Sequence, residues 1–495
     1  MSQKSNSYKQ IIKATSLFGG VQGFNIIISI IRTKVITFFI GSVGMGVIAL
    51  LNSTLGLIGE FTKLGLDTTA VKDIAFAANN NAEERVPVVV STLQKLVWLT
   101  GVLGVVVTLI SAPLLSWFAF GNYEYTLAFI WISISLLFNQ LSNGQIAVLQ
   151  GLRKLSYLAK ANLVGNLIGL LITMPLYYFF RIDAIVPAII ITSIVSLFFS
   201  WWYSKKVPVK YLKTSVKEAL SEGREMINLG FMLSLRGLIT LGAVYALQIF
   251  ISHYGGVSQV GFYAAGFVIL NSYVGLVFNA MRTDYFPRLS AIIDDIDKVR
   301  ETVKHQALLA LLIVTPIIVL FLTTAPLIIR ILYSKEFLLI LGMVSWGILS
   351  TVFKSVSWSM GYVILAKGES KLFIITAIVF NTLFFTICSL GYYFFGLNGL
   401  GIGFLVYYFV HFLGVKLITS KRYQLHFDKE FYGIFFVSIL FCAVTFLSSF
   451  ITDFTLKIGI MILMSIISVI FTIKELHKRI NIIEILNTIK RKIKK

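Results

Sequence analysis

The chain reads as about fourteen apolar stretches, each close to the roughly 20 residues a helix needs to cross a bilayer, joined by short polar connections. They start near Ala14, Val43, Val88, Leu127, Ala161, Ala184, Ile227, Ser258, Ala307, Leu338, Leu372, Asn398, Phe431 and Thr455. Hydrocarbon offers no partner to a free backbone N–H or C=O, so only helices or closed barrels can span it. These runs are continuous rather than alternating, which predicts helices and not barrel strands. With 57% hydrophobic and 13% charged residues over 495 positions, an ordinary soluble protein is excluded. The expected fold class is an all-α integral membrane protein.

Two groups of residues recur inside the series. Asn52-Ser53-x-x-Gly56-Leu57 returns 219 positions later as Asn271-Ser272-x-x-Gly275-Leu276. Asn166 with Tyr177-Tyr178-Phe179-Phe180 returns 215 positions later as Asn381 with Tyr392-Tyr393-Phe394-Phe395. The similar offsets predict two six-helix lobes, parallel repeats around a central cleft, followed by two C-terminal helices, a construction typical of transporters. The expected divisions are 1–203 for the N-terminal lobe, 204–226 for a cytoplasmic linker, 227–420 for the C-terminal lobe, and 421–495 for the last two spans and a basic tail. Within the linker, Leu212 to Met226 reads as an amphipathic helix on the membrane surface.

A net charge of +21 would suggest nucleic acid in a soluble protein, but most of the 43 Lys and Arg sit at the termini and in alternate loops. Lys4, Lys9 and Lys13 precede the first span, Lys205 to Arg224 is rich in bases, and the chain ends Lys490-Arg491-Lys492-Ile493-Lys494-Lys495. That bias orients both termini to the cytoplasm, and the tail reads as an anchor beside anionic membrane lipid, with no nucleic-acid partner expected. The first apolar run is too long for a cleaved signal and lacks a small-residue cleavage site. Cys388 and Cys442 fall within spans and the five His are scattered, so neither a disulfide nor a metal site is expected. There is no Gly-x-x-x-x-Gly-Lys loop, paired carboxylate or nucleophile elbow. Neither cofactor nor catalysis is expected.

Charges inside spans tend to face a cavity or a partner. On the first span Gln22, Asn25, Ser29 and Arg32 share one helical stripe, with Lys34 beside it. On the second, Ser53, Gly56, Glu60, Lys63 and Asp67 do the same, and the first four correspond at the repeat offset to Ser272, Gly275, Asn279 and Arg282. Gly347, Ser350, Lys354, Ser357 and Gly361 form a third stripe, and Arg236 lies on the seventh span. One reading makes Arg32, Lys34, Lys63, Arg236, Arg282 and Lys354 a cationic cleft for phosphate or carboxylate. The other has small residues permitting close packing while bases near helix ends reach the headgroups. Glu60, the only carboxylate well inside a span, is a candidate for ion coupling or for neutralising Lys63. Tyr245, Tyr263 and Tyr273 are candidates for stacking on sugar rings.

Arg32 with the following Phe39-Ile40-Gly41-Ser42-Val43-Gly44-Met45-Gly46 resembles the polysaccharide-transporter branch of the multidrug/oligosaccharidyl-lipid/polysaccharide exporter superfamily. Val207-Pro208-Val209-Lys210-Tyr211-Leu212-Lys213, Tyr285-Phe286-Pro287-Arg288-Leu289-Ser290 and Gly361-Tyr362-Val363-Ile364-Leu365-Ala366-Lys367 are similar to Wzx-type O-antigen flippases. The resemblance implies a bacterial inner-membrane flippase carrying undecaprenyl-pyrophosphate-linked oligosaccharide across the bilayer by alternating access, with a polysaccharide polymerase as a candidate partner. A lipid II flippase would share the architecture. A cation-coupled multidrug exporter would be expected to bury more carboxylates than Glu60, and an O-antigen ligase or polymerase would need a sizeable external loop.

Overall fold

The structure, a computed structural model, describes residues 2–79, 84–209, 211–273 and 275–479; the side chains of residues 2–22, 79, 272, 273, 276, 280 and 283 are not described. The basic tail from Lys490, and the side chains of Lys4, Lys9, Lys13, Gln22 and Ser272, thus lie outside the described residues. The helices in chain order are α1 (Ser2–Thr62), α2 (Leu66–Asn79), α3 (Arg85–Phe120), α4 (Thr126–Gly151), α5 (Leu155–Phe180), α6 (Ile185–Ser204), α7 (Val216–Glu222), α8 (Arg224–Gly255), α9 (Val257–Val268), α10 (Gly275–Ala291), α11 (Ile296–Leu332), α12 (Leu341–Ala366), α13 (Ser370–Tyr423), α14 (Lys429–Ser448) and α15 (Phe454–His477). No strand occurs among the described residues. The fold is an all-α membrane fold.

Ten helical stretches among the described residues are long and apolar enough to cross a bilayer. Three of them are double length. A straight 54-residue α13 would extend about 80 Å at 1.5 Å per residue, against a hydrocarbon core of about 30 Å, so it must reverse. It does so at Gly396 (φ 58°), as α1 does at Gly41 (φ 62°), and the 50-residue stretch Leu155–Ser204 turns at Arg181 (φ 51°). In the place of the eighth expected span, α9 and α10 flank a π-helical turn at Ile269–Tyr273. Pro175 and Pro316 stand inside α5 and α11, whereas Pro187 sits in the first turn of α6, where its missing N–H removes no bond.

The reversals themselves repeat. Gly41 and Gly256, Arg153 and Gly368, and Arg181 and Gly396 all have positive φ, and each pair is 215 residues apart. That is the spacing of Asn166 and Asn381, so left-handed backbone returns at the same places in both halves. Such agreement supports a tandem repeat.

By internal contacts the chain forms two compact units: Met1–Phe262 with Leu332–Glu336, and Tyr263–Ile331 with Phe337–Lys495. In the first, α8 runs antiparallel to the half of α1 that follows Gly41. Gly230 meets the backbone of Leu64 and Gly65 so closely that a Cβ on Gly65 would enter the Gly230 carbonyl and a Cβ on Gly230 the Leu64 carbonyl. Further along, Gly237 lies against the Glu60 carboxylate, Thr54 Oγ1 is 2.7 Å from Tyr245 Oη, and Gly46 abuts the Val257 carbonyl. Small residues bring the two backbones together, as in other apolar helix pairs. At the far end Ser42 and Ser258 hydroxyls are 2.8 Å apart.

In the second unit, α15 is fastened to α11 by the Thr472 hydroxyl, which donates to the Leu312 carbonyl at 3.0 Å, and by Thr323 and Ser465 hydroxyls 3.1 Å apart. Tyr285 donates to the Ser359 carbonyl at 2.7 Å. At the start of α14, Asp428 accepts from the Phe431 amide and from Lys304, and the Lys304 bond holds its carboxyl below the usual carboxylate range.

The surface helix expected over Leu212–Met226 is shorter. A capping box of Ser215 and Glu218 starts α7 only at Val216, because the Leu212 amide is already committed to the Ser91 hydroxyl at 2.8 Å. The helix stops at Gly223, whose Cα packs against Leu96, and α8 begins at Arg224.

Gly230→Val should overpack the α1 and α8 contact and lower stability by about 1–3 kcal/mol. Gly242→Ala, on the same helix with open space around it, should be neutral or slightly stabilising. Thermal unfolding of both variants in one detergent checks the difference.

Candidate functional site

Within the first unit, α1, α4, α5, α6 and α8 enclose a cavity of about 610 Å³. Its polar lining comes from α1 (Arg32, Asn52, Glu60) with Lys63 just after it, α4 (Asn139, Gln140, Asn143), and the neighbouring α5 and α6 (Thr173, Tyr177, Thr192, Ser193). Leu241 contributes an apolar patch from α8. The volume lies in the range of small-molecule sites, ~300–1,000 Å³. Arg32 precedes the Gly41 reversal by nine residues, whereas Glu60 follows it by nineteen. At the helical rise these lie about 13 Å and about 28 Å from the turn, so the cavity extends through a large part of the membrane depth.

Arg32 is positioned by Asn166. One guanidinium nitrogen donates to the Asn166 carbonyl at 3.2 Å, and the Asn166 side chain donates to Asn25 at 3.2 Å. Arg32 Nε is buried with no hydrogen-bond partner among the described residues. At the other end the Lys63 ammonium bridges two carboxylates, Glu60 at 2.7 Å and Asp67 at 3.2 Å. Two carboxylates on one ammonium leave no surplus positive charge there. Between these ends the lining is neutral. Gln140 is anchored, its Nε2 donating to Thr100 Oγ1 at 3.0 Å, and the hydroxyls of Thr173 and Thr192 donate to the carbonyls four residues back. Asn52 and Asn139 are exposed to the cavity and Asn143 is half-buried. None of these three carboxamides makes a hydrogen bond among the described residues.

The structure thus brings Arg32, Glu60 and Lys63 to one cavity. Lys34 lies on the same helix, but its ammonium donates to the Tyr333 carbonyl, away from the cavity lining. Arg236 is an exposed residue of α8 and does not line the cavity; Arg282 is exposed on α10. Lys354 belongs to the second unit. Its ammonium donates to Asn271 Oδ1 at 3.1 Å, faces the rings of Tyr408 and Phe278 at 5.1 and 5.7 Å, and borders a space of about 10 Å³, room for one water. Tyr245 is buried between α8 and α1, and Tyr263 is fully buried beside Phe267 and Phe404. The side chain of Tyr273 lies outside the described residues.

Of the stripe expected on the second span, Gly56, Glu60 and Lys63 line the cavity, while Ser53 and Asp67 do not. Asn52 and Gly59 line it where Ser53 was expected. Asn139 and Asn143 escaped notice because carboxamides carry no charge; their four-residue spacing inside an apolar span was the available signal. Cys388 and Cys442 are buried and free, and no group of three or more His, Cys, Asp or Glu suited to a metal occurs among the described residues.

Residues 35–341 match the family described as polysaccharide biosynthesis protein, and the chain belongs to that family. It is similar to the lipid III flippase of Escherichia coli (strain K12), 23% identical over 407 residues, covering 79% of this chain and 94% of that protein. Among solved structures, the fold is that of the lipid II flippase MurJ in an inward closed conformation, with a TM-score of 0.71 at 16% identity, covering 93% of this chain and 99% of that one. An inward-facing multidrug resistance transporter of the MATE family superposes with a TM-score of 0.66 at 14% identity, covering 81% of this chain and 94% of that one.

Replacing Lys63 alone by Met leaves Glu60 and Asp67 without their shared cation. A thermal-unfolding double-mutant cycle of Glu60→Gln with Lys63→Met should give a coupling of about 0.5–3 kcal/mol. Additive effects would place the pair's charges in bulk water.

Proposed function

We propose that this protein is a flippase for undecaprenyl-pyrophosphate-linked oligosaccharide repeat units, of the O-antigen or a related surface polysaccharide, moved between leaflets of the bacterial inner membrane by alternating access. The observation that carries this reading is a polar cavity of about 610 Å³ inside membrane-spanning helices, with exposed carboxamides and a half-buried arginine whose Nε is buried without a partner among the described residues. Such groups are costly in hydrocarbon, so they must face water or a polar cargo. Membership of a polysaccharide biosynthesis family and the likeness to a lipid III flippase agree with a lipid-linked glycan as cargo. The termini are assigned to the cytoplasm from the basic loops.

Arg32 is the cation we assign to the anionic pyrophosphate within the cavity. Lys354, which has no carboxylate among its described contacts, is a separate cation of the second unit, and no part in holding that anion is assigned to it. Glu60, engaged by Lys63, is assigned to charge compensation rather than to ion coupling. The likeness to MurJ supports a second reading, a lipid II flippase, which differs only in the head group carried.

The test is leaflet transfer of labelled polyprenyl-pyrophosphate oligosaccharide in proteoliposomes containing this protein alone. Protein-dependent transfer is expected, and Arg32→Ala should reduce it roughly tenfold to a hundredfold while leaving insertion intact, since a hydrogen bond to a charged group contributes about 1.5–3 kcal/mol. Faster transfer of lipid II than of other lipid-linked oligosaccharides would favour the second reading. Absence of transfer for every lipid-linked glycan would overturn both.

A further inference from the structure

The cavity in the first unit combines three properties that together select among glycans. At one end Lys63 sits between Glu60 at 2.7 Å and Asp67 at 3.2 Å, one cation against two carboxylates and so net negative, and at the other Arg32 is a single cation. Its middle is a row of carboxamides, Asn139 and Asn143 one helical turn apart on α4 with Asn52 on α1. These carboxamides are unengaged among the described residues, and each offers two N–H donors and a carbonyl acceptor. Carboxamides of this kind complement hydroxyl and acetamido groups, which also both donate and accept. They provide no counter-charge for a carboxylate.

From this we propose that the cavity binds an uncharged stretch of glycan, sugars bearing hydroxyl and acetamido groups but no uronate, with Asn52, Asn139 and Asn143 as the hydrogen-bonding surface and Glu60 as the group that rejects acidic sugars. This rests on the flippase reading and narrows it. A uronate in the middle or at the Glu60 end would meet a carboxylate whose cation is already shared, and juxtaposed like charges are costly. Arg32 stays available to the pyrophosphate, so charge recognition and sugar recognition are separated along the cavity. The gap between Arg32 and Glu60, about 15 Å along the helical rise, leaves room for that separation.

Position matters for Glu60 as well as charge. A Cβ on Gly237 would lie 2.7 Å from Glu60 Oε1, so α8 presses its glycine against the carboxylate and fixes where it points. Gly237→Ala must shift Glu60 while leaving its charge in place.

The experiment compares two polyprenyl-pyrophosphate trisaccharides in proteoliposomes of the full chain: one of N-acetylhexosamines only, the other with its distal sugar oxidised to the uronate. The neutral substrate should be transferred at least about tenfold faster, and Glu60→Gln should shrink that ratio by about as much, by raising transfer of the acidic substrate. Asn139→Leu combined with Asn143→Leu should slow the neutral substrate. Asn139→Gln, which keeps a carboxamide, should retain its transfer, and unfolding temperatures close to that of the parent protein identify folded variants. Equal transfer of both substrates by the parent, or a preference for the acidic one, would overturn the selectivity and leave the flippase reading standing. No transfer of either would overturn that reading itself. A preference unchanged by Glu60→Gln would remove Glu60 from the assignment.

Discussion

Every polar group this chain carries into hydrocarbon must be satisfied internally or face water, and the structure follows from that constraint. Backbone groups are satisfied by helix formation throughout the spans. Side chains follow the same rule by local means: Thr54, Thr62, Thr100, Thr108, Thr173, Thr315 and Thr445 each donate to a carbonyl three or four residues earlier on their own helix. Buried polar atoms without a partner among the described residues occur in both units, at Gln94, Gln248, His411 and Ser438 for example. The cavity differs in gathering several polar groups at one place: Asn52, Asn139 and Asn143 remain unengaged there, and Arg32 keeps a buried nitrogen without a partner.

The same constraint explains the packing of α8. Two helices in hydrocarbon gain nothing from apolar surface alone, so close approach of backbones must supply the contact. Gly65 and Gly230 allow that approach, Gly46 and Gly261 do the same where α9 meets α1, and Gly237 gives the Glu60 carboxylate the space a larger residue would fill. Packing and electrostatics therefore meet at one point: the helix that contributes Leu241 to the cavity wall also fixes the group that sets the charge at its end.

Much of the architecture was legible in the sequence because span length and apolar continuity are strong signals. The reversals near Gly41, Arg181 and Gly396 fall where the expected spans change, and the recurrence of Asn166 as Asn381 is matched by three pairs of left-handed turns at the same spacing. The candidate site was less legible. A helical stripe fixes a face only to within about one residue, hence the shift from Ser53 to Asn52. Lys34 stood beside the stripe of Arg32, yet it is held by a carbonyl 299 residues away, a relation no local pattern can encode. Tyr245 and Tyr263 had the right chemistry for sugars, but aromatic residues are so frequent in this chain that composition could not separate wall from core. Asn139 and Asn143 carry no charge, so the cost of placing charge in a span does not single them out.

Neutral carboxamides in place of charged groups bear on how such a cavity works. A carrier whose cavity were strongly cationic would hold a doubly charged pyrophosphate tightly, and a cargo bound too well is released slowly. Confining positive charge to Arg32 while Lys63 is held by Glu60 and Asp67 limits the grip on the anion. On the proposed flippase reading, carboxamides spread many weak, exchangeable hydrogen bonds over the glycan, so water can replace them one at a time as the sugar leaves. Specificity then resides in which groups are excluded, with Glu60 opposing carboxylates, rather than in the strength of any single contact. On this view the pair of Glu60 and Lys63 is more than a neutralised charge in a membrane span: it keeps the cavity polar enough to hold water and neutral enough to let its cargo go.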